Sequence, residues 1–357
     1  MQVEQQKNSL RDLANVKEFL ERVRAEFAAK PFRPHSAFTR GHSQTLAAYA
    51  WPRRYRFGGP PQDEERMFEI DRDVKVLANC RWQSEREKHA TIVIWHGMEG
   101  SITSIYMIAT ADKAFRAGFN VVRVNFRNCG GTEHLTPTLY HGGLSDDLGV
   151  VVKQLIENDR LQRLYLLGFS LGGNMVLKLA GECGAKLPPE VIAVCALSPS
   201  VDLHASSVEI HRRANWIYHW TFIQSLKTRI RLKHKLYPEL YDLTRLPTIR
   251  TVREFDEEFV ARANGFADAD DYYHRASSIR VATGIRLPTL IIHAEDDPFI
   301  PFAPLRDPAF SNNPYILLIA TPRGGHVAFV SRGTPGEDRF WAENRAVEFF
   351  QMAESAT

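Results

Sequence analysis

Residues 163–180 read RLYLLGFSLGGNMVLKLA. Residues 164–167 form a short apolar run of strand length, and from about Leu171 the residues Met175, Val176, Leu179 and Ala180 recur at helical spacing. Between the two lies Gly168-Phe169-Ser170-Leu171-Gly172, a G-x-S-x-G turn. A serine at the tip of a sharp strand-to-helix turn is forced into a strained backbone conformation that lifts its hydroxyl clear of the sheet. The flanking glycines are required because a Cβ at Gly168 or Gly172 would collide with the neighbouring strand or helix. Ser170 then sits at a helix N-terminus, where backbone N–H groups and the macrodipole favour developing negative charge. The five-residue pattern alone arises by chance in roughly one chain in ten of this length; the strand before it and the helix after it give it its weight.

The sequence around this turn alternates in the same way. Residues 91–95 (TIVIW), 119–126, 191–197, 287–294 and 315–320 are apolar runs suited to strands buried on both faces. Residues 67–70 and 74–81 read as a hairpin, and helices are predicted at 105–117, 145–158 and 339–351. Strands alternating with helices define an α/β fold, a mostly parallel central sheet with helices on both faces. From 199 to 286 the alternation stops, and a helical stretch rich in aromatic and basic residues stands in its place. It interrupts the sheet between two strands and reads as a helical cap over the sheet's C-terminal edge, where open α/β sheets bind ligands. Its aromatic residues Trp216, Tyr218, Trp220 and Phe222 suggest an apolar acyl pocket.

At the other end, Leu13, Val16, Phe19, Leu20, Val23 and Phe27 mark an amphipathic helix within residues 1–30. Its mixed acidic and basic polar face favours docking on the main domain over a membrane surface or a dimer contact. The segment 31–60 reads as irregular. The expected organisation is therefore an N-terminal helix (1–30), a core formed by 31–198 with 287–357, and a cap insertion (199–286).

The 357 residues are 44% hydrophobic and 24% charged, ordinary for a globular chain with a sizeable core. A formal net charge of +3 is too small to argue for a nucleic-acid partner. Cys80, Cys129, Cys183 and Cys195 show no C-x-x-C spacing, and the polar N-terminus lacks a signal core. The expectation is reduced thiols in a cytoplasmic protein without a transmembrane segment.

A serine nucleophile needs a base, a group that orients the base, and donors for an oxyanion. On a strand–elbow–helix scaffold the acid and then the histidine follow the serine along the chain. The buried run ending at Ile292 leads into His293-Ala294-Glu295-Asp296-Asp297-Pro298. Asp297, which opens the Asp-Pro turn, is the chosen acid, with Asp296 as its neighbouring alternative. His326, in Arg323-Gly324-Gly325-His326-Val327, follows the last strand on a loop freed by its glycine pair. His293 is also near the acid, but as part of a strand end it suits a packing role. The oxyanion donors are expected to be the N–H of Leu171 and that of Met98, in the loop His96-Gly97-Met98 after the strand ending at Trp95. His141 and Asp146 stand in an H-x-x-x-x-D spacing used by acyltransferases of other folds. Here the pair precedes a helix, and Ser145 or Asp146 is read as its N-cap.

Taken together, the ordered motifs resemble the YheT-like branch of the α/β-hydrolases. These are His96-Gly97-Met98-Glu99-Gly100, residues 125–131, Tyr140-His141-Gly142-Gly143, residues 168–174, Arg253-Glu254-Phe255-Asp256 with Gly265-Phe266-Ala267-Asp268, residues 288–301, and Gly324-Gly325-His326-Val327. The similarity spans about residues 32–350. Arg127-Asn128-Cys129-Gly130-Gly131 departs slightly from the branch's usual Arg-Gly-Cys-Gly-Gly. The resemblance implies an α/β-hydrolase fold with a triad on Ser170, Asp297 and His326, and it implies a carboxylic-ester hydrolase of esterase or acylglycerol-lipase type. The expected substrate is a small-molecule or lipid-like ester, with no metal, cofactor or nucleic acid. The competing readings are an acyltransferase on the same triad and a non-catalytic binding protein that kept the fold.

Overall fold

A computed structural model of the chain describes residues 9–51, 53 and 63–357. Residues 1–8 of the N-terminal segment, and 52 and 54–60 of the segment read as irregular, lie outside the described residues. The first helix is α1 (Leu13–Ala29), capped by Asp12, whose carboxylate accepts from the N–H groups of Ala14 and Asn15. A second helix, α2 (Gly41–Ala50), corrects the reading of 31–60 as irregular. Its inward face carries Gly41, Gln44, Thr45, Ala47 and Ala48, small or polar residues that leave no apolar periodicity to read.

The elements that follow are β1 (Glu64–Asp71), β2 (Val74–Arg81), β3 (Thr91–Trp95), α3 (Ile105–Arg116), β4 (Asn120–Val124), α4 (Ser145–Glu157), β5 (Leu164–Phe169), α5 (Leu171–Cys183) and β6 (Val191–Leu197). Next come α6 (Leu203–Ile210), α7 (Trp216–Leu236), α8 (Val252–Phe255) continued by a π-helical turn over Asp256–Ala261, and α9 (Ala269–Ala276). The chain closes with β7 (Thr289–Ala294), α10 (Pro308–Ser311), β8 (Ile316–Thr321) and α11 (Trp341–Glu354).

Among the described residues the strands form one eight-stranded sheet, ordered β1-β2-β4-β3-β5-β6-β7-β8. The pairs from β4 to β8 are parallel, whereas β2 runs antiparallel to both β1 and β4. From β3 the chain crosses to β4 on one side, and β5 then joins β3 on the other. The strand order reverses there, and a crevice opens at the carboxyl ends of β3 and β5. Trp95 at the end of β3 pairs with Gly168 near the end of β5, which brings the two following loops side by side.

Alternate residues of the central strands feed two cores. Val93, Trp95, Leu164 and Leu166 pack on one face with Met175 and Val176 of α5. Ile92, Ile94, Tyr165 and Leu167 pack on the other with α1, α3 and α11. Both faces are covered, so these strands are apolar throughout and not alternating. On α1, Val16, Phe19, Leu20, Val23 and Phe27 are buried, and Phe19 meets Phe349 of α11 at 5.6 Å. Each such buried side chain contributes about 1.5–3 kcal/mol relative to exposure. No helix among the described residues is long and apolar enough to cross a membrane. The four cysteines are unpaired, and burial pushes the Cys129 thiol up to about 12.

Candidate active site

Ser170 stands between β5 and α5 with φ 53° and ψ −114°, a conformation that L-residues rarely adopt. Its N–H donates to Leu197 O at 2.9 Å, and its carbonyl accepts from Asn174 N at 3.0 Å, so the neighbouring strand β6 and helix α5 hold it there. The glycines are explained by contact. A Cβ on Gly168 would lie 2.2 Å from Gly172 O, and one on Gly172 would lie 2.5 Å from His96 O, at the end of the neighbouring strand.

The loop after β8 brings His326 over this elbow. His326 Nε2 lies 3.0 Å from Ser170 Oγ, and Nδ1 lies 2.7 Å from Asp297 Oδ2. Asp297 follows β7, and its other oxygen accepts from Phe299 N at 2.8 Å and Ile300 N at 3.0 Å. Burial alone would raise this carboxyl; the His326 and His293 rings and the Phe299 N–H outweigh it and hold it below its ordinary value. Asp296 points elsewhere: its Oδ1 accepts from Gly325 N at 3.0 Å and so anchors the loop that carries His326. His293 is fully buried, lies 3.9 Å from Asp297 Oδ2 and donates from Nε2 to Ile300 O at 3.1 Å, a packing role. Burial holds its ring below the ordinary histidine range.

Two supports of the loop that carries His326 were not legible in the sequence. Thr45 Oγ1 on α2 accepts from His326 N at 2.9 Å, and Ser198 Oγ accepts from Val327 N at 3.1 Å. Val327 at φ 56° and Phe329 at φ 44° show that the loop is held in a costly shape by these contacts. α2 is in turn tied down by Gln44, which donates to Val330 O at 3.0 Å and accepts from Val330 N at 2.7 Å. No motif announces Thr45 or Gln44; the only signal is a pair of polar residues on one side of a short alanine-rich helix.

The loop after β3 lies opposite. Gly97 sits so close that a Cβ there would be 3.1 Å from the Ser170 Cβ. Gly97 N donates to Tyr106 Oη at 2.9 Å. His96 accepts from Phe126 N through Nε2 at 3.1 Å and donates from Nδ1 to Gly97 O at 2.7 Å. Burial pushes its pKa down to about 4, so it is a neutral ring that braces the loop. Leu171 is the first residue of α5, where an N–H has no intrahelical acceptor. Met98 and Leu171 both border the same cavity as Ser170 and His326.

That cavity measures about 420 Å³ and is mostly apolar. Its outer wall comes from the helices between β6 and β7, including Leu203, Phe222, Leu226 and Phe255, and Tyr49 of α2 borders it as well. The expectation for the cap aromatics is corrected in part. Phe222 borders the cavity and Tyr218 packs edge-on against Phe299 at 4.6 Å, but Trp216 and Trp220 are 65% and 59% exposed. The helix-cap reading at 145–146 is also corrected. Leu144 occupies the N-cap position without a side-chain bond, and Ser145 Oγ donates to Glu182 Oε2 at 2.6 Å. His141 is buried against Phe266 and Tyr272, and its pKa is pushed down to about 3 by burial.

The sheet order and the serine elbow are those of the α/β-hydrolase fold. Solved structures agree. The Pyrococcus furiosus esterase Pf2001 aligns with a TM-score of 0.53 at 17% identity over 84% of this chain and 98% of that one. Est1E from Butyrivibrio proteoclasticus aligns with 0.51 at 17% over 82% and 99%. The family model described as serine aminopeptidase, S33 matches residues 86–309. YheT of Escherichia coli (strain K12), named as a candidate esterase, is 32% identical over 88% of this chain and 91% of its own length. The monoacylglycerol lipase of Saccharomyces cerevisiae is 31% identical over 67% of this chain, and mouse phospholipase ABHD3 is 26% identical over 71%. The chain spans 54% and 61% of the lengths of these last two. The chain belongs to the YheT-like branch of the α/β-hydrolase family.

Proposed function

We propose that the protein is a serine carboxylic-ester hydrolase of esterase or acylglycerol-lipase type, working through an acyl-enzyme. The observation that carries this reading is the unbroken hydrogen-bonded chain from Ser170 through His326 to Asp297, at 3.0 and 2.7 Å, at the edge of an apolar cavity. Ser170 Oγ attacks the acyl carbonyl while His326 Nε2 takes its proton. Asp297 fixes the tautomer that presents Nε2 as the acceptor and stabilises the imidazolium that forms. The N–H groups of Leu171 and Met98 receive the oxyanion, an interaction worth about 3 kcal/mol per donor when it is directed at the transition state. His326 then returns the proton to the leaving alcohol, and a water activated by the same ring releases the acid.

The cavity falls within the ~300–1,000 Å³ range of small-molecule sites, and its apolar lining suits the acyl chain of an ester. Residues 199–286 serve as the cap that closes it, and α1 (Leu13–Ala29) serves as a support helix outside the site. Esterase and lipase names among the relatives support the same chemistry. The test is hydrolysis of p-nitrophenyl esters from acetate to palmitate by the wild type beside Ser170→Ala. Turnover is expected to fall at least ~10³-fold in the variant at every chain length. Turnover that survives would remove Ser170 as the nucleophile.

A further inference from the structure

Glu99 follows Met98 directly and stands at φ 58°, in the left-handed region that a side chain enters only at a cost. Its carboxylate is buried, with 6% of the side chain exposed, and three donors close around it. Tyr140 Oη donates to Oε1 at 2.9 Å, Arg229 Nε donates to the same oxygen at 3.0 Å, and Ser225 Oγ donates to Oε2. Glu99 N also donates to Tyr140 Oη at 3.1 Å, so one tyrosine grips both the backbone and the side chain. Arg229 is itself buried, with Nη1 3.5 Å from Glu133 Oε1 and its guanidinium 5.4 Å from the Tyr140 ring centre.

Two of these donors, Ser225 and Arg229, belong to α7, in the segment over the sheet edge. The acceptor belongs to the loop after β3. A buried carboxylate that loses its cation is costly, and so is a left-handed glutamate without its anchors. The loop therefore keeps this shape only while α7 is seated. The geometry points to Glu99 as a positioning residue for the oxyanion site: through Arg229 and Ser225 it makes the placement of the Met98 N–H depend on the docking of α7. This inference rests on the reading of Met98 N–H as an oxyanion donor. It assigns to the cap a part in transition-state stabilisation beyond covering the acyl chain.

The experiment compares wild type, Glu99→Gln, Arg229→Lys and Ser225→Ala on one short p-nitrophenyl ester. Each is also titrated with an alkyl trifluoromethyl ketone, whose adduct with the serine places an oxyanion in the site, and with the matching methyl ketone, which fills the cavity without forming the adduct. Glu99→Gln is expected to lower kcat at least about tenfold, short of or equal to the ~100-fold that losing a donor outright costs. KM is expected to stay within about threefold, trifluoromethyl ketone affinity to fall in parallel with kcat, and methyl ketone affinity to hold. Arg229→Lys should fall between wild type and Glu99→Gln, because it keeps the charge and loses the forked geometry. Ser225→Ala removes a single donor and should lower kcat and trifluoromethyl ketone affinity together by about two- to fivefold. That mild variant decides the matter should Glu99→Gln fail to fold. A rise in KM with kcat and trifluoromethyl ketone affinity unchanged would overturn the inference and leave these residues as cap anchors only. Wild-type turnover that persists in Ser170→Ala would instead overturn the underlying hydrolase reading, and this inference with it.

Discussion

Asp297 and His326 are joined at 2.7 Å, with the Asp297 side chain fully buried, and the second oxygen of Asp297 is occupied by two backbone N–H groups. The carboxylate thus has one oxygen to hold its own loop and one to hold the imidazole. Asp297→Asn retains the bonds to Phe299 and Ile300 if the amide oxygen faces them, which turns its NH₂ toward His326. The ring must then accept at Nδ1 and present its N–H, not its lone pair, to Ser170. We expect kcat to fall by about 10⁴ with a small change in KM, as in a triad whose histidine tautomer is reversed. Steady-state kinetics on the best p-nitrophenyl ester check this. A loss below tenfold would mean that Asp296 or another group orients His326.

Ser170 itself illustrates a stability cost kept at a working position. At φ 53° and ψ −114° it lies in a region glycine enters freely and serine does not. Ser170→Gly removes the nucleophile and the strain together. The glycine adds freedom to the unfolded chain, which offsets part of the relief. The net expectation is a protein without ester turnover that is about 1 kcal/mol more stable. Urea unfolding of the two proteins, compared at equal m-value, measures the difference. A variant less stable than wild type would show that the elbow is not strained at this residue.

The positions of Ser170, Asp297 and His326, which the fold brings within hydrogen-bond reach, were legible because each depends on local sequence. The serine needs two glycines that admit close backbone approach, the acid follows a buried strand, and the histidine follows a glycine pair in a loop. Thr45 and Gln44 were not legible because their role is set by a contact some 280 residues away along the chain. A helix whose inward face is Gly41, Gln44, Thr45, Ala47 and Ala48 has no hydrophobic period to betray it. The cap aromatics misled for the opposite reason. α7 carries apolar residues around most of its circumference, so spacing alone did not say that Ile223, Leu226 and Ile230 face inward while Trp216 and Trp220 face out.

A carboxyl borders the cavity as well. Asp256, on the π-helical turn, accepts from Tyr273 Oη at 2.7 Å, and burial pushes its pKa up to about 7. An aspartate in the unfolded chain titrates near 3.9, so between about pH 4 and pH 7 the folded protein holds a proton that the unfolded chain has lost. Stability contributed by this group therefore falls as pH rises through that window and is level above about pH 8. Raising the carboxyl from its ordinary value to about 7 corresponds to about 4 kcal/mol, and solvent at a half-buried side chain reduces this to about 2 kcal/mol. Asp256→Asn keeps an acceptor for Tyr273 without the titration. The expected result is a variant about as stable as wild type at pH 4.5 and about 2 kcal/mol more stable at pH 8, read from denaturant midpoints at both values. Parallel behaviour of the two proteins across this range would mean that Asp256 is ionised and solvated at neutral pH.

The acyl pocket can be located by two substitutions on one helix. Phe222 and Trp216 are both large aromatic residues on α7, but only Phe222 borders the cavity, packed edge-on toward Phe299 at 6.1 Å. Phe222→Ala enlarges the space available to an acyl chain, and one methylene in an apolar pocket is worth about 1–3 kcal/mol of discrimination. The ratio of kcat/KM for octanoate over butyrate is therefore expected to rise about tenfold in Phe222→Ala. In Trp216→Ala the same ratio should remain within about twofold, because that ring faces away from the cavity. A change in Trp216→Ala as large as in Phe222→Ala would require α7 to turn its outer face toward the substrate during turnover. No change in either would remove the acyl chain from this side of the cavity and leave the wall formed by Leu203, Phe255 and Tyr272 to receive it.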